Sequence, residues 1–126
     1  MYLLDTNALL FFLYDSEKLS KKASEVIYSS DEKISVSIAS MWEIAIKSCI
    51  GKLEIKSPIS KIADTCEKEQ LNILSIKPFH LDEISHLPPI HGDPFDRLII
   101  SQAITENLVI ITKDGIIPQY NVKVLW

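Results

Sequence analysis

The sequence predicts an α/β fold, a three-layer α/β/α sandwich on a mainly parallel central sheet. Short apolar runs alternate along the chain with longer segments of helical periodicity. No repeat, low-complexity tract or linker interrupts this alternation. Strands separated by helices favour right-handed crossovers, a parallel sheet and helices on both of its faces. Because 126 residues suffice for one domain with a substantial core, residues 1–126 are expected to form a single domain.

The first predicted strand is Tyr2–Leu4, a short apolar run that ends at Asp5. Residues 6–14 follow as a helix that is apolar nearly all round, so the sheet and a partner chain are expected to cover it. Residues 18–30 are amphipathic and predict a second helix, for which Ser20 is a suitable N-cap.

The second predicted strand covers residues 33–38, which alternate and are rich in residues that favour strands. Residues 40–43 match the capping-box pattern. That pattern predicts a helix through residues 44–50, which Gly51 would end. Residues 53–55 are expected to form a short extended piece.

The next helix is predicted to begin at Pro58, because apolar residues recur from there to Cys66 at helical spacing. Residues 71–76 are the third predicted strand. Residues 78–87 predict a short helix, which the prolines at positions 88 and 89 would stop.

Asp93 and the proline after it suit the N-cap and first position of a further helix. Asp96 falls at the third position, where it answers Asp93 in a capping arrangement on the simplest interpretation. The most strand-like run of the chain follows this helix at residues 108–112. Residues 113–115 then predict a turn, and residues 122–125 predict a final edge strand.

The composition is that of an ordinary globular chain, with 47% hydrophobic and 24% charged residues. A net charge of −4 argues against binding nucleic acid through a broad basic surface. It leaves open a nucleic-acid enzyme whose bound metal supplies the positive charge locally.

The two cysteines, Cys49 and Cys66, form no CxxC or mixed Cys/His pattern. Both are expected to be small buried hydrophobes with reduced thiols, as in a cytoplasmic protein. Asp5 and Asn7 interrupt the apolar N-terminal run, which predicts neither a signal peptide nor a membrane span.

Four acidic residues occupy positions that the predicted topology brings together: Asp5, Glu43, Asp96 and Asp114. Sites in parallel α/β sheets form beyond the carboxyl ends of the strands, near the point where the strand order reverses. Asp93 would join the four at the rim. Clustered carboxylates repel one another, and a bound hard cation relieves this repulsion. An all-oxygen donor set favours Mg²⁺ or Mn²⁺ over zinc, so the four acids are candidate metal ligands and catalytic residues for hydrolysis of a phosphodiester.

Each acid also has a plainer interpretation. Asp5 would cap the first helix, and Glu43 would close the capping box or pair with Lys47 four residues on. Asp114 precedes a glycine and would be a turn residue.

Further polar residues flank the acids. Thr6, Asn7 and Thr112 are candidates to hydrogen-bond the acids or a metal-bound water, although capping and strand composition also explain them. Lys47 and Arg97 are candidates to reach phosphate oxygens. A solvated ion pair suits Lys47 as well, and a carboxylate clamp or an interface contact suits Arg97.

The three histidines, His80, His86 and His91, lack ligand spacing beside the acids and are interpreted as surface or turn residues. No Ser/His/Asp arrangement or glycine-rich phosphate loop is visible, so acyl transfer and P-loop nucleotide hydrolysis are not supported.

The order and spacing of several motifs make the sequence similar to the PIN-domain ribonucleases, and within them to the VapC-type toxins of type II toxin–antitoxin pairs. The resemblance runs over almost the whole chain. It rests on residues 3–7 (LLDTN), 40–47 (SMWEIAIK), 51–53 (GKL), 93–103 (DPFDRLIISQA), 111–114 (ITKD) and 124–126 (VLW).

The resemblance implies an α/β/α sandwich and an endoribonuclease that depends on Mg²⁺ or Mn²⁺. Asp5, Glu43, Asp96 and Asp114 match the family's acidic positions, and Asp93 matches an extra acid of this subgroup. Members typically form homodimers and are silenced by a cognate antitoxin. Asn7 stands where close relatives often carry His.

Two other functions fit a small α/β domain with clustered acids. A receiver-type signalling module would need a phospho-accepting Asp at the end of strand three, where the sequence has Ser75-Ile76-Lys77. A non-catalytic binding module would use the acids only as caps. The sequence does not specify the RNA target, the antitoxin or the number of metal ions.

Overall fold

The computed structural model describes residues 1–29 and 31–126, and within them it has five strands and six α-helices. In chain order these are β1 (Tyr2–Leu4), α1 (Thr6–Tyr14), α2 (Lys21–Ile27), β2 (Ile34–Ser37), α3 (Ile38–Cys49), α4 (Ile59–Lys68), β3 (Asn72–Leu74), α5 (Pro78–Ile84), α6 (Pro94–Glu106), β4 (Val109–Ile111) and β5 (Val124–Leu125). Two short 3₁₀ turns, Ser16–Lys18 and Ile117–Gln119, were not predicted.

The five strands form one sheet in the order β3-β2-β1-β4-β5, and each neighbouring pair is parallel. β1 lies at the centre, with Leu3 level with Ser35 of β2 and Ile110 of β4. The chain first builds outward from β1 to β2 and β3, and then returns to place β4 and β5 on the other side. The strand order therefore reverses between β1 and β4.

The sheet separates two apolar clusters, one on each face. Successive residues of β1 point to opposite faces, so Leu4 belongs to one cluster and Leu3 to the other. The cluster around Leu4 packs against α1, α2 and α4, and the cluster around Leu3 packs against α6. The predicted three-layer α/β/α sandwich with a parallel sheet is confirmed.

Helix α3 begins earlier than the sequence predicted. Ser37, the last residue of β2, is its N-cap and accepts a hydrogen bond from the backbone N–H of Ala39 through its hydroxyl (3.0 Å). Ser40 lies inside the helix and is fully buried. The capping-box interpretation of residues 40–43 is therefore wrong, and Glu43 stands in the helix interior rather than at its start.

The other predicted helices and strands are present, β1 and α1 with the predicted bounds and most of the rest with shorter ones. Ser20 caps α2, accepting from the N–H of Ala23 at 3.0 Å. The predicted helix over residues 18–30 is realised as Lys21–Ile27, and its last residue, Ser30, lies outside the described residues. Residues 53–55 form no strand among the described residues, since no neighbouring strand pairs with them.

Helix α1 is covered only in part by its own chain. Ala8 and Leu9 are buried, Phe12 is half-buried and Tyr14 is 51% exposed. The expectation that both cysteines are buried is wrong for one of them, because Cys66 is buried and Cys49 is exposed. No helix in the described part of the chain is long and apolar enough to cross a bilayer.

Candidate functional site

The candidate site lies at the carboxyl end of the central strands, where the strand order reverses. Asp5 directly follows β1, and Asp114 lies three residues after the end of β4. Glu43 comes from α3, which begins at the carboxyl end of β2, and Asp96 comes from the first turn of α6. Four separate segments therefore supply one acidic residue each to this edge of the sheet.

Asp5 is buried, with 4% of its surface exposed, and both of its carboxylate oxygens accept hydrogen bonds. Oδ1 caps α1 by accepting from the N–H of Ala8 (2.7 Å), and Oδ2 accepts from the hydroxyl of Thr112 (2.5 Å). Burial raises the pKa of Asp5 from 3.8 to about 6, and the charges of Asp96 and Asp114 add to this rise. The capping interpretation is confirmed, and Asp5 also joins α1 to the segment after β4 through Thr112.

Glu43 is 4% exposed and caps nothing. Its Oε1 accepts from the hydroxyl of Thr6 (2.6 Å), and its Oε2 accepts from Lys47 Nζ (2.5 Å). Ser40 Oγ lies 3.1 Å from the same Thr6 hydroxyl. The hydrogen bond to Glu43 raises the pKa of Lys47. The predicted pairing of Lys47 with Glu43 is confirmed, and it brings one cation to the border of the acidic cluster.

The two acids at the start of α6 behave differently. Asp93 is the N-cap, and its Oδ1 accepts from the N–H groups of Phe95 (2.9 Å) and Asp96 (3.0 Å). Asp96 Oδ2 lies 3.1 Å from Nε2 of His91. Burial raises the pKa of Asp96, the bond to His91 opposes that rise, and nearby carboxylates add to it. Asp96 therefore does not serve as the answering partner of a capping box.

Asp114 closes a turn. Its Oδ1 accepts from the N–H of Ile116 (2.7 Å), and its own N–H donates to the hydroxyl oxygen of Thr112 (3.0 Å). Thr112 thus contacts both Asp5 and Asp114 through one hydroxyl. The predicted turn role of Asp114 is confirmed, and so is the prediction that Thr112 hydrogen-bonds an acid.

The carboxylates lie close enough to affect one another's ionisation. Asp96 and Asp114 raise the pKa of Asp5, while Asp93, Asp114 and Glu43 raise that of Asp96. In the side-chain conformations of residues 1–29 and 31–126, however, no three Asp, Glu, His or Cys groups are arranged to hold one metal ion. The site is thus a cluster of coupled negative charges whose donor atoms, all carboxylate oxygens, are of the kind that hard cations prefer.

Two of the supporting residues, Arg97 and Asn7, make no hydrogen bond to the acids within the described part of the chain. Arg97 does not turn to the acids, because its guanidinium donates to Pro88 O (2.9 Å) and to the hydroxyl of Tyr120 (3.1 Å). Asn7 is exposed and lies along a groove beside α1, together with Phe11 and Leu53. Thr6 and Thr112, by contrast, donate directly to an acid, Thr6 to Glu43 and Thr112 to Asp5.

The prediction for the histidines was right for His86, which is exposed, and wrong for His80, which is fully buried. His80 Nδ1 accepts from the N–H of Lys77 (2.9 Å), so this histidine stabilises the start of α5. His91 lies in the loop before α6, is half-buried and contacts Asp96. The sequence indicates this contact only through the position of His91, five residues before Asp96 in the loop that leads to the N-cap.

Comparison with protein families matches residues 2–123 to the model of the PIN domain. Comparison with curated protein sequences gives no significant match.

Solved structures with the same fold cover nearly the whole chain. VapBC2 from Rickettsia felis bound to a DNA fragment from their promoter gives a TM-score of 0.73 at 16% identity, over 98% of this chain and 96% of that chain. DNA-bound VapBC from Salmonella typhimurium gives 0.70 at 15% identity, with the same coverage of both chains. VapBC-1 from nontypeable Haemophilus influenzae gives 0.63 at 18% identity, again with that coverage. At such identities these likenesses show the fold.

Proposed function

We propose, since this chain belongs to the PIN domain family, that it is a metal-dependent endoribonuclease and the toxin of a type II toxin–antitoxin pair. The observation that carries the enzymatic proposal is the acidic cluster at the carboxyl edge of the sheet. Two of its members, Asp5 and Glu43, are each only 4% exposed. Burying ionisable groups beside one another costs stability, so a functional reason for the arrangement is expected.

The residues present fit a divalent cation by their chemistry. The proposed ligands are Asp5, Glu43, Asp96 and Asp114, which supply only carboxylate oxygens. Hard cations such as Mg²⁺ and Mn²⁺ take oxygen ligands and keep several of their waters. Burial is the main cause of the raised pKa of Asp5 and of Asp96, and neighbouring carboxylates add to each rise, a repulsion that a bound cation would relieve.

An ion held there would lower the pKa of a bound water and polarise the phosphodiester, which are the two contributions that metal-assisted hydrolysis needs. The protein's own part is to hold the acids in place. Thr112 and the N–H of Ala8 fix the carboxylate of Asp5, and Thr6 fixes that of Glu43. Lys47, 44% exposed at its side chain, is the proposed contact for a phosphate oxygen of RNA.

The resemblance to VapC-type toxins and the structural likeness to VapBC complexes support a protein partner. The cognate antitoxin is the proposed inhibitor, and a homodimer in the cytoplasm is the proposed assembly. The half-covered side of α1, with Phe12 half-buried and Tyr14 exposed, supports a partner on that helix.

One observation favours a non-catalytic module instead. Asp5 and Asp93 cap helices and Asp114 closes a turn, so each has a structural role. Glu43 does not fit that alternative, because it caps nothing and is buried in the interior of α3. A receiver-type module finds no support, since β3 is an edge strand of the sheet and no acid directly follows it.

The proposal is tested by incubating the purified protein with RNA. Cleavage is expected with Mg²⁺ or Mn²⁺ and is expected to stop with EDTA. Asp5→Ala and Asp96→Ala should each reduce the rate by at least about a hundredfold, since a missing ligand removes metal-assisted chemistry. Circular dichroism of both variants shows whether they are folded.

Asp64→Ala is the matched control, because Asp64 is an exposed acid on α4, away from the cluster, and its variant should cleave at the parental rate. If folded Asp5→Ala and Asp96→Ala cleave as fast as the parent, the assignment of the site is wrong. If the parent cuts no RNA and binds no Mn²⁺, the non-catalytic module is the better account.

A further inference from the structure

A chain of three hydrogen bonds leads from Arg97 to Asp96 through side chains of two other segments. Arg97 Nη1 lies 3.1 Å from the hydroxyl of Tyr120. That hydroxyl lies 2.6 Å from His91 Nδ1, and His91 Nε2 lies 3.1 Å from Asp96 Oδ2. Tyr120 and Asp96 are far apart in the sequence, so only the fold brings the side chains of these hydrogen bonds together.

The direction of each bond follows from the chemistry of the groups. A guanidinium can only donate, so Tyr120 Oη accepts from Arg97. The Tyr120 hydroxyl can then donate to His91 Nδ1, in the imidazole tautomer that carries its proton on Nε2. Nε2–H donates to the carboxylate of Asp96, which can only accept when it is ionised. All three bonds thus point toward Asp96, and each polarises the next.

The chain is held rigidly at its far end. Tyr120 is 3% exposed and belongs to the apolar cluster on the α6 face of the sheet. Arg97 Nη1 also donates to Pro88 O, which ties the loop before α6 to the helix. The side chains of His91 and Asp96 are 15% and 19% exposed. The imidazole is therefore fixed between a buried hydroxyl and the acid.

From this geometry we propose that His91, held by Tyr120, is a positioning residue that orients the carboxylate of Asp96 for metal binding. The inference rests on the proposed nuclease function. The bond from His91 engages Oδ2, and no described residue hydrogen-bonds Oδ1 of Asp96. One oxygen is thus restrained while the other remains for the ion. Partners of this kind behind a ligand govern metal affinity as well as rate.

The test compares the parent with His91→Ala, His91→Gln and Tyr120→Phe in the full-length protein. Free Mn²⁺ is measured by electron paramagnetic resonance to obtain the dissociation constant, and RNA cleavage gives kcat and KM. His91→Ala should weaken Mn²⁺ binding about tenfold and lower kcat with little change in KM. His91→Gln should recover most of the affinity, because its amide nitrogen can donate where Nε2 does.

Tyr120→Phe keeps the buried ring and removes only the hydroxyl, so it should weaken Mn²⁺ binding several-fold even if His91→Ala folds poorly. His86→Ala is the matched control, because His86 is an exposed histidine that takes no part in these three hydrogen bonds. This variant should bind Mn²⁺ like the parent. Unfolding temperatures measured on the same samples identify variants that lose affinity only because they lose structure.

Failure of this inference can be told apart from failure of the proposed function. If the parent binds Mn²⁺, Asp96→Asn abolishes binding, and His91→Ala and Tyr120→Phe bind as tightly as the parent, the positioning role is wrong and the nuclease proposal stands. If His91→Gln binds as weakly as His91→Ala, a donated hydrogen bond is not what matters. If the parent binds no Mn²⁺, both proposals fail.

Discussion

Two opposing effects act on the carboxylate of Asp5, hydrogen bonding and burial. As a cap and as the partner of Thr112 it must accept two hydrogen bonds, and as a buried carboxylate it must lose its hydration. The hydrogen bonds stabilise the charged form and burial destabilises it, and burial is the larger effect because the pKa rises to about 6. Asp5 is thus a residue at which stability has been given up, which is typical of functional sites.

The pKa of Asp5 predicts how its substitution affects stability. Because the folded-state pKa lies above the unfolded value of 3.8, the folded state holds the proton more tightly. The ionisation of Asp5 therefore lowers the free energy of unfolding. The loss is small below about pH 4, grows as the pH rises from 3.8 to 6, and reaches about 3 kcal/mol above that range. Asp5→Asn removes this cost, and the Thr112 hydroxyl can accept from the new amide.

Asp5→Asn should accordingly raise the free energy of unfolding by about 1–2 kcal/mol near pH 7.5 without metal, and the gain should shrink toward zero as the pH falls to about 4. Urea denaturation at several pH values measures this. The variant should also lose RNA cleavage. A variant less stable than the parent at neutral pH would show that the hydrogen bonds of the carboxylate outweigh its burial.

At the scale of the element, the start of α6 brings the cap and the site together. Asp93 satisfies two of the backbone N–H groups that a helix leaves unpaired at its first turn. Phe95, between the two acids, packs edge-on against Trp42 of α3 with the ring centroids 5.0 Å apart. Trp42 precedes Glu43 and Phe95 precedes Asp96, so α3 and α6 are in contact next to two of the acids.

Substitution of Asp93 separates its capping role from a catalytic one. Asp93→Ala should cost about 1 kcal/mol of stability, because two N–H groups lose their acceptor. Asp93→Asn retains an acceptor oxygen and should unfold near the parental denaturant concentration. If Asp93 is a cap only, Asp93→Asn should cleave RNA within a few-fold of the parental rate, whereas Asp96→Asn should be inactive. An inactive but stable Asp93→Asn would place Asp93 among the catalytic acids.

Elements were predicted better than their boundaries. The acid after β1 and the helix start at Asp93 are local features, since a few neighbouring residues determine each of them. The start of α3 was missed because a serine at position 37 ends β2 and caps the helix at once, leaving no loop to recognise. The four-residue pattern at Ser40 satisfied the capping rule in sequence, but Ser40 is buried against Thr6.

At the scale of the whole molecule, the order of the strands creates the site. β1 lies between β2 and β4, and all three run in the same direction. Their carboxyl ends therefore share one edge, and the segments that follow them supply Asp5, Asp114 and α3. The convergence of the four acids was predictable because parallel topology follows from the alternation of strands and helices. The contact of His91 with Tyr120 was not predictable, because no local pattern relates residues 29 positions apart.

The same topology predicts that substitutions in an interior strand cost more stability than substitutions in an edge strand. Ile110 in β4 is fully buried, whereas Val124 in the edge strand β5 is 36% exposed. Ile110→Ala should lower the free energy of unfolding by about 3–4 kcal/mol, and Val124→Ala by less than about 1 kcal/mol. Urea denaturation measures both. Equal losses would contradict the placement of β4 inside the sheet and of β5 at its edge.

The central claim is that four distant carboxylates share one divalent cation, and titration calorimetry with Mn²⁺ tests it most directly. The parent is compared with Asp5→Asn, Glu43→Gln, Asp96→Asn and Asp114→Asn, each confirmed to be folded, and with Asp64→Asn as the control. The account predicts that the parent and the control bind Mn²⁺ and that each of the four substitutions weakens binding by at least about tenfold. Parental affinity in all four folded variants, or no binding by the parent, would contradict it.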